Sequence, residues 1–274
     1  MSDKRKYTIA ICKGAALLNE TRTLLEHWLP GESAESYARR AQKEGVLGNA
    51  TAYRSRDIIC RVFLPRFFRP NDQPARVLKS VLSHRLPYSV FPELVLLFAA
   101  RHDPLIYDFI VYEFWPSLRR GRLSLDVSSV LSFFSQALAE GMIEKPWSEE
   151  VSKKVARGLL GFLRDVGYMR DRSRSVRELL DYRLSNEGLV IIARLLHDSG
   201  FHNTFLCRHE DWRLFGLDEA TIMERMDLLD QSFGLLLQRA GSVINIQWQV
   251  ASIYELIALL AGVRSISITG RTTP

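Results

Sequence analysis

Trp147–Leu184, WSEEVSKKVARGLLGFLRDVGYMRDRSRSVRELLDYRL, is the stretch on which the fold turns. Ser148 is placed as an N-cap, and Glu149 and Glu150 suit the positive end of a helix dipole. A long helix follows, in which Gly158 and Gly161 permit close helix packing. Gly167 closes it, Tyr168 and Met169 form a short apolar piece, Arg170–Arg177 is a basic loop and Glu178–Leu184 reads as β-like. This is the order of a winged helix–turn–helix, with the long helix as groove reader and Arg170–Arg177 as the wing. The same order also occurs in unrelated folds.

Upstream, short helices are expected. A helix over Asn19–Leu29 stops at Pro30-Gly31, and a second opens on Ser33 or Ser36 and ends before Gly45. A third opens on Asn49 or Thr51 and is kinked or ended by Pro65. Pro74 sits in the first turn of a helix reaching His84. Two apolar helices then occupy Ser89–Arg101 and Pro104–Phe114, with Asp103 as N-cap of the second and Pro104 at its first position. Leu125–Glu140 reads as one amphipathic helix. Downstream, Asp218–Leu229 is helical, and Leu235–Arg239 and Val243–Gln249 flank Ala240-Gly241-Ser242 as a β-hairpin. Ser252–Leu260 is a last helix, and the tail from Thr269 frays. The class is mainly α: helical bundles with one or two small, winged-helix-like β-hairpins in the C-terminal half. A boundary near residues 85–87 divides the chain into a basic helical segment, 1–86, and a segment 87–274 carrying the hairpins. A break near Pro146 also fits.

The 274 residues are 47% hydrophobic and 25% charged, with a formal net charge of +6. That balance supports a packed core, and it favours a polyanionic partner only weakly. Cys12, Cys60 and Cys207 are too few and too scattered for a disulfide framework, which suits a reducing cytoplasm. The N-terminus lacks the apolar region of a signal peptide. The strongest apolar runs, Leu94–Ala100 and Leu256–Val263, fall well short of the roughly 18–20 residues of a membrane span.

Positive charge gathers in two places. Arg54, Arg56, Arg61, Arg66, Arg69, Arg76, Lys79 and Arg85 face only Asp57 and Asp72; Lys153, Lys154, Arg157, Arg164, Arg170, Arg172, Arg174 and Arg177 face Asp165 and Asp171. By helical spacing Arg54 and Arg61 share a face with Asp57, and Lys153, Lys154, Arg157 and Arg164 form a stripe. Guanidinium groups hold phosphates with two hydrogen bonds and also read guanine edges. Arg54, Arg56, Arg61, Arg66, Lys153, Lys154, Arg157, Arg164, Arg172 and Arg174 are therefore the candidate duplex-binding residues. The alternative is a pair of solvated helix faces. Residues 208–230 are acidic by contrast.

Catalytic signatures are missing: no GxxxxGK[ST], GxGxxG, GxSxG or HExxH occurs. His197, His202, Cys207 and His209 lie close together, but at no standard zinc spacing, and read as a loop with a buried cysteine. No cofactor, metal site or catalytic residue is expected. Phe63, Phe67, Phe68, Phe109, Tyr112, Phe114 and Trp115 read as core, not as a stacking platform.

The middle block LPYSVFPELVLLFAARHDPLIYDFIVYEFWP, and above all AARHDPLIYDFIVYEF (Ala99–Phe114), resembles the BrxA family of BREX phage-defence systems. GVLGNATAYRSRDIICRVFLPRF and WSEEVSKKVARGLLGFLRDVGYM extend the likeness over nearly the whole chain. The resemblance implies a NusB-like helical fold and double-stranded DNA binding. It also implies partnership with a BREX methyltransferase, an ATPase and a phosphatase-like protein. It supplies no catalytic residues. Some members carry an inner-membrane label, which the short apolar runs contradict. A non-enzymatic, cytoplasmic duplex-DNA binder is thus expected; a protein scaffold of the BREX complex or an RNA binder are the alternatives.

Overall fold

The computed structural model describes residues 6–48, 50–173, 176–229, 231–240 and 243–269. Its contacts divide into two compact units, residues 1–76 with 95–182, and residues 77–94 with 183–274. These do not coincide with the linear segments 1–86 and 87–274, because the chain leaves the first unit and returns to it.

The first unit opens with a 3-10 turn, Ala10–Lys13, followed by helices α1 (Leu18–His27), α2 (Ala34–Lys43) and α3 (Ala52–Arg56). Helix α3 runs on through a π-helical turn, Asp57–Phe63, into α4 (Leu64–Phe67). The division between units falls inside α5 (Gln73–Ser83) and α6 (Val90–His102). Then come α7 (Pro104–Phe109), a second π turn (Ile110–Phe114) and α8 (Trp115–Arg119). Strand β1 (Ser124–Asp126), α9 (Val127–Ala139), α10 (Glu149–Asp165), β2 (Met169–Asp171) and β3 (Val176–Leu179) complete the unit.

Caps set many of these boundaries. Ser33, Thr51, Asp103 and Ser148 each accept a backbone N–H of the first turn with their side chains. The helix expected over Leu125–Glu140 starts later: Leu125 is a buried strand residue, and the Asp126 carboxylate takes the Ser129 N–H at 2.9 Å, capping α9.

Pro65 does not end its helix. The Leu64 N–H reaches back to Ile59 O, a π-type bond, so the proline enters a widened turn. Such a turn relieves the clash between the ring and the carbonyl four residues earlier and needs no N–H from the proline. The same device precedes Pro116, where the Trp115 N–H bonds Ile110 O. The aromatic residues along these helices are core, as expected: Phe63, Phe67, Phe109 and Phe114 are fully buried, and only Tyr112 of the group is exposed.

The second unit contains α11 (Asn186–Asp198), α12 (Asn203–Cys207), a 3-10 turn (Glu210–Phe215), α13 (Glu219–Asp227), a short 3-10 turn (Gln231–Phe233), hairpin β4 (Leu235–Ala240) and β5 (Val243–Trp248), and α14 (Ile253–Thr269). The hairpin pairs antiparallel from Leu235↔Trp248 to Ala240↔Val243, as the alternation predicts. Arg194, buried on α11, donates to Val250 O and Ala251 O and ties the chain leaving β5 to that helix. The tail beyond residue 269 lies outside the described residues.

Helix α11 begins with an unusual cap. Ser185 Oγ accepts the Gly188 N–H at 2.9 Å, as in a capping box, but the position that usually carries glutamate is a glycine. The carboxylate comes instead from Glu93, 92 residues away, which accepts Ser185 N–H at 2.8 Å and Ser185 O–H at 2.6 Å. Glu93 is 1% exposed. Burial pushes its pKa up to about 7, against the opposing pull of the Ser185 hydrogen bonds. The folded state therefore keeps a proton that the unfolded chain gives up above about 4.5. Glu93 stabilises most below that pH, and its contribution fades as pH rises through about 7. Hydrogen exchange of the α11 amides should show protection falling from pH 5 to pH 7.5, by up to about 3 kcal/mol. Glu93→Gln, which carries no titrating proton, should flatten that slope; an unchanged slope would refute the assignment.

Candidate nucleic-acid interface

Strand β1 pairs antiparallel with β3, and β3 with β2, so the sheet order is β1-β3-β2. The chain order β1-α9-α10-β2-β3 with that sheet is the arrangement of a winged helix, and β2 and β3 enclose the wing. The connection between α9 and α10 is longer than the three or four residues of a tight helix–turn–helix. Gly167, at φ +88°, makes the turn from α10 into the sheet, and Tyr168 behind it stacks on Tyr182 at 4.2 Å.

One side of α10 is core: Val155, Ala156, Leu159, Leu160, Phe162 and Leu163 are buried. A second side is covered by the 3-10 turn. A Cβ at Gly158 would stand 3.2 Å from Ile11 O, so the glycine allows this close approach, as its place in the helix predicts. The remaining face carries Lys153, Arg157 and Arg164, within about 40° of one another at 100° per residue.

The ten candidate residues separate accordingly. Lys153 pairs with Glu149 along the helix. Arg157 is exposed and makes no ion pair among the described residues. Arg164 pairs with Asp165 at 2.7 Å and with Asp171 at 3.5 Å. In the strands that flank the wing, and not in a loop as expected, Arg170 pairs with Glu178 and Arg177 with Asp171. Arg172 is exposed and unpaired among the described residues, and Arg174 lies outside them. Much of the wing's positive charge is thus neutralised within the sheet.

In the other cluster, two arginines point inward. Arg66 is 5% exposed and donates to Ala15 O at 2.6 Å and Gly14 O at 3.1 Å. Arg54 donates to Lys13 O. Both engage the carbonyl end of the 3-10 turn, Arg66 from a buried position and Arg54 from a half-buried one. Charge counting identifies such residues but not their direction. Arg56 is exposed, and Arg61 pairs with Asp57 at 3.3 Å.

Arg61 also reaches the α10 side of the unit. A cleft of about 390 Å³ is lined by Arg61, by Ile9, Cys12 and Lys13 of the N-terminal segment, and by Val151 and Lys154 of α10. The two basic clusters therefore meet there through one cation each. Lys13 enters this site without a signal in the sequence, since it stands in no periodic or charged run. His197 and His202 stack edge-on at 4.6 Å, and no group of three or more His, Cys, Asp or Glu among the described residues is placed to hold a metal.

A family model, BrxA, matches residues 5–194 and takes in the whole winged segment. The chain belongs to the BrxA family. BrxA proteins are components of BREX phage-defence systems, so this chain is one as well. A similar fold is seen in a crystal structure of an uncharacterized protein from Magnetospirillum magneticum. That chain is 18% identical, with a TM-score of 0.57 over 75% of this chain and 98% of that one. No curated protein matches the chain. No helix among the described residues is long and apolar enough to cross a membrane.

Proposed function

We propose that this BrxA-family chain is a non-enzymatic, cytoplasmic, duplex-DNA-binding component of BREX defence, acting beside the methyltransferase, ATPase and phosphatase-like proteins of the system. The observation that supports the reading is the exposed face of α10, which carries Lys153, Arg157 and Arg164 inside a winged-helix arrangement. Phosphate neutralisation by such a row gives binding that is strong at low salt and weakly dependent on sequence. Arg172 extends the surface at the wing.

A gel-shift titration of duplex DNA across salt tests this. Arg157→Glu should weaken binding about tenfold on any sequence and lower the salt slope by about 1. Folded protein that leaves duplex DNA unshifted at low salt would end the proposal. Structured RNA as competitor decides whether DNA or RNA is preferred. A partner-protein role is kept as a second reading by Phe205 and Leu228, 73% and 78% exposed in or beside the acidic stretch. Nuclease-resistant co-purification with BREX proteins, lost in Phe205→Ser, would favour it.

A further inference from the structure

The cleft between the 3-10 turn and α10 has a chemistry that a duplex backbone does not use. Its walls are mainly apolar, from Ile9, Val151 and the side of Cys12, while Lys13, Arg61 and Lys154 stand around it. Asp57 is the carboxylate that answers this charge. Lys13 contacts it at 2.9 Å and Arg61 at 3.3 Å, and Arg54 also acts on it. Lys154 makes no ion pair among the described residues. Cations therefore exceed anions around the cleft. Tyr53, 68% exposed, presents its ring 5.8 Å from Lys13 Nζ. The volume of about 390 Å³ lies at the small end of ligand pockets, which run from about 300 to 1,000 Å³.

An apolar slot ringed by an excess of cations matches a flat ring joined to a phosphate, and Tyr53 stands beside Lys13 outside the lining. We propose that this cleft holds one nucleoside monophosphate unit, with its phosphate on Lys13, Arg61 and Lys154 and its base against Ile9 and Val151. The unit comes either as free mononucleotide or as an unpaired nucleotide of bound DNA; only the second source rests on the DNA-binding reading above.

Cys12 gives a direct readout, since it lines the cleft and is half-exposed; burial raises its thiol, with Lys154 and Lys13 opposing. Cys207 is 1% exposed with its thiol pushed up to about 11 by burial, so in full-length Cys60→Ser protein alkylation reports Cys12. The rate is measured alone and with dAMP, with inorganic phosphate, with blunt duplex, and with duplex carrying an unpaired overhang. At about ten times the dissociation constant an occupant should slow alkylation about tenfold. Protection by dAMP well beyond that by phosphate supports free nucleotide; protection by overhang duplex and not by blunt duplex supports DNA as the source. In either case Arg61→Gln and Lys154→Gln should each reduce the protection, while Arg157→Glu leaves the dAMP result unchanged. Equal protection by phosphate and dAMP, equal protection by blunt and overhang duplex without dAMP protection, or no protection at all would each overturn the proposal. A blunt-duplex gel shift on the same protein reports DNA binding separately, so the two readings fail distinguishably.

Discussion

Replacing Gly188 by alanine should destabilise the second unit by about 1–3 kcal/mol, the range of an overpacked buried site. A Cβ there would lie 2.1 Å from Glu93 Oε2 and 2.9 Å from Ser185 Oγ. The carboxylate cannot swing aside cheaply, because it is buried and bound to both the N–H and the hydroxyl of Ser185. Moving it would leave those donors and a carboxylate without partners, each at a cost of about 1–3 kcal/mol. Hydrogen exchange of the α11 amides reads the loss directly. Glu93→Ala in the same protein should relieve the clash, so the double variant should lose less than the sum of the two singles. A fully tolerated Gly188→Ala, or strict additivity, would show that the glutamate does not fill this space.

Arg66→Met should cost about 3 kcal/mol, since it removes the donors to two backbone carbonyls at a buried turn. The side chain is enclosed, and its guanidinium lies 5.6 Å from the Phe162 ring. Burial draws its pKa down to about 10, with the nearby Asp103 pulling the other way. Burial in turn pushes Asp103 up to about 6, with Arg66 opposing. Removing the arginine thus also takes the compensating charge from a buried carboxyl. Arg66→Lys should recover only part, because an ammonium lacks the planar fork that reaches both carbonyls. Urea unfolding followed by circular dichroism checks it. A variant of unchanged stability that binds duplex DNA more weakly would return Arg66 to the nucleic-acid surface.

The contrast between these residues shows how far the sequence could be read. Asp103 and Ser148 were legible as caps because their partners lie two and three residues ahead. The helix of the winged segment was legible for the same reason, but its hairpin was misplaced. Arg170, Asp171, Val176 and Arg177, expected in the loop, are paired strand residues, and the strand expected over Glu178–Leu184 is Val176–Leu179. Strand β1 was not legible, because three residues carry no periodicity and its pairing with β3 is tertiary. The Glu93 cap is invisible for a related reason, its partner being 92 residues away. In the basic clusters the sequence shows how many arginines there are, not where they point. Arg66 and Arg54 turn to backbone carbonyls, and Arg170 and Arg177 to acidic neighbours on the sheet. The exposed face of α10 was readable in part because its stripe repeats with the helix itself: Lys153, Arg157 and Arg164 share it, whereas Lys154, also expected there, lies toward the cleft.

The π turn before Pro65 has a consequence for how the chain can change length. A π turn holds one residue more than the α turn it replaces, so the helix through Asp57–Phe63 contains, in effect, an insertion. Deleting one residue there would convert it to an α turn, and because the turn absorbs the change the helix after it keeps nearly the same bearing. Phe67 and Arg66 would keep their inward bearings, but Pro65 would meet the carbonyl it now avoids. Residues 44–48, which follow α2, contain no proline and no such turn. A single-residue deletion should therefore be tolerated in that loop and cost stability in the π turn, through Pro65 and not through a change of bearing.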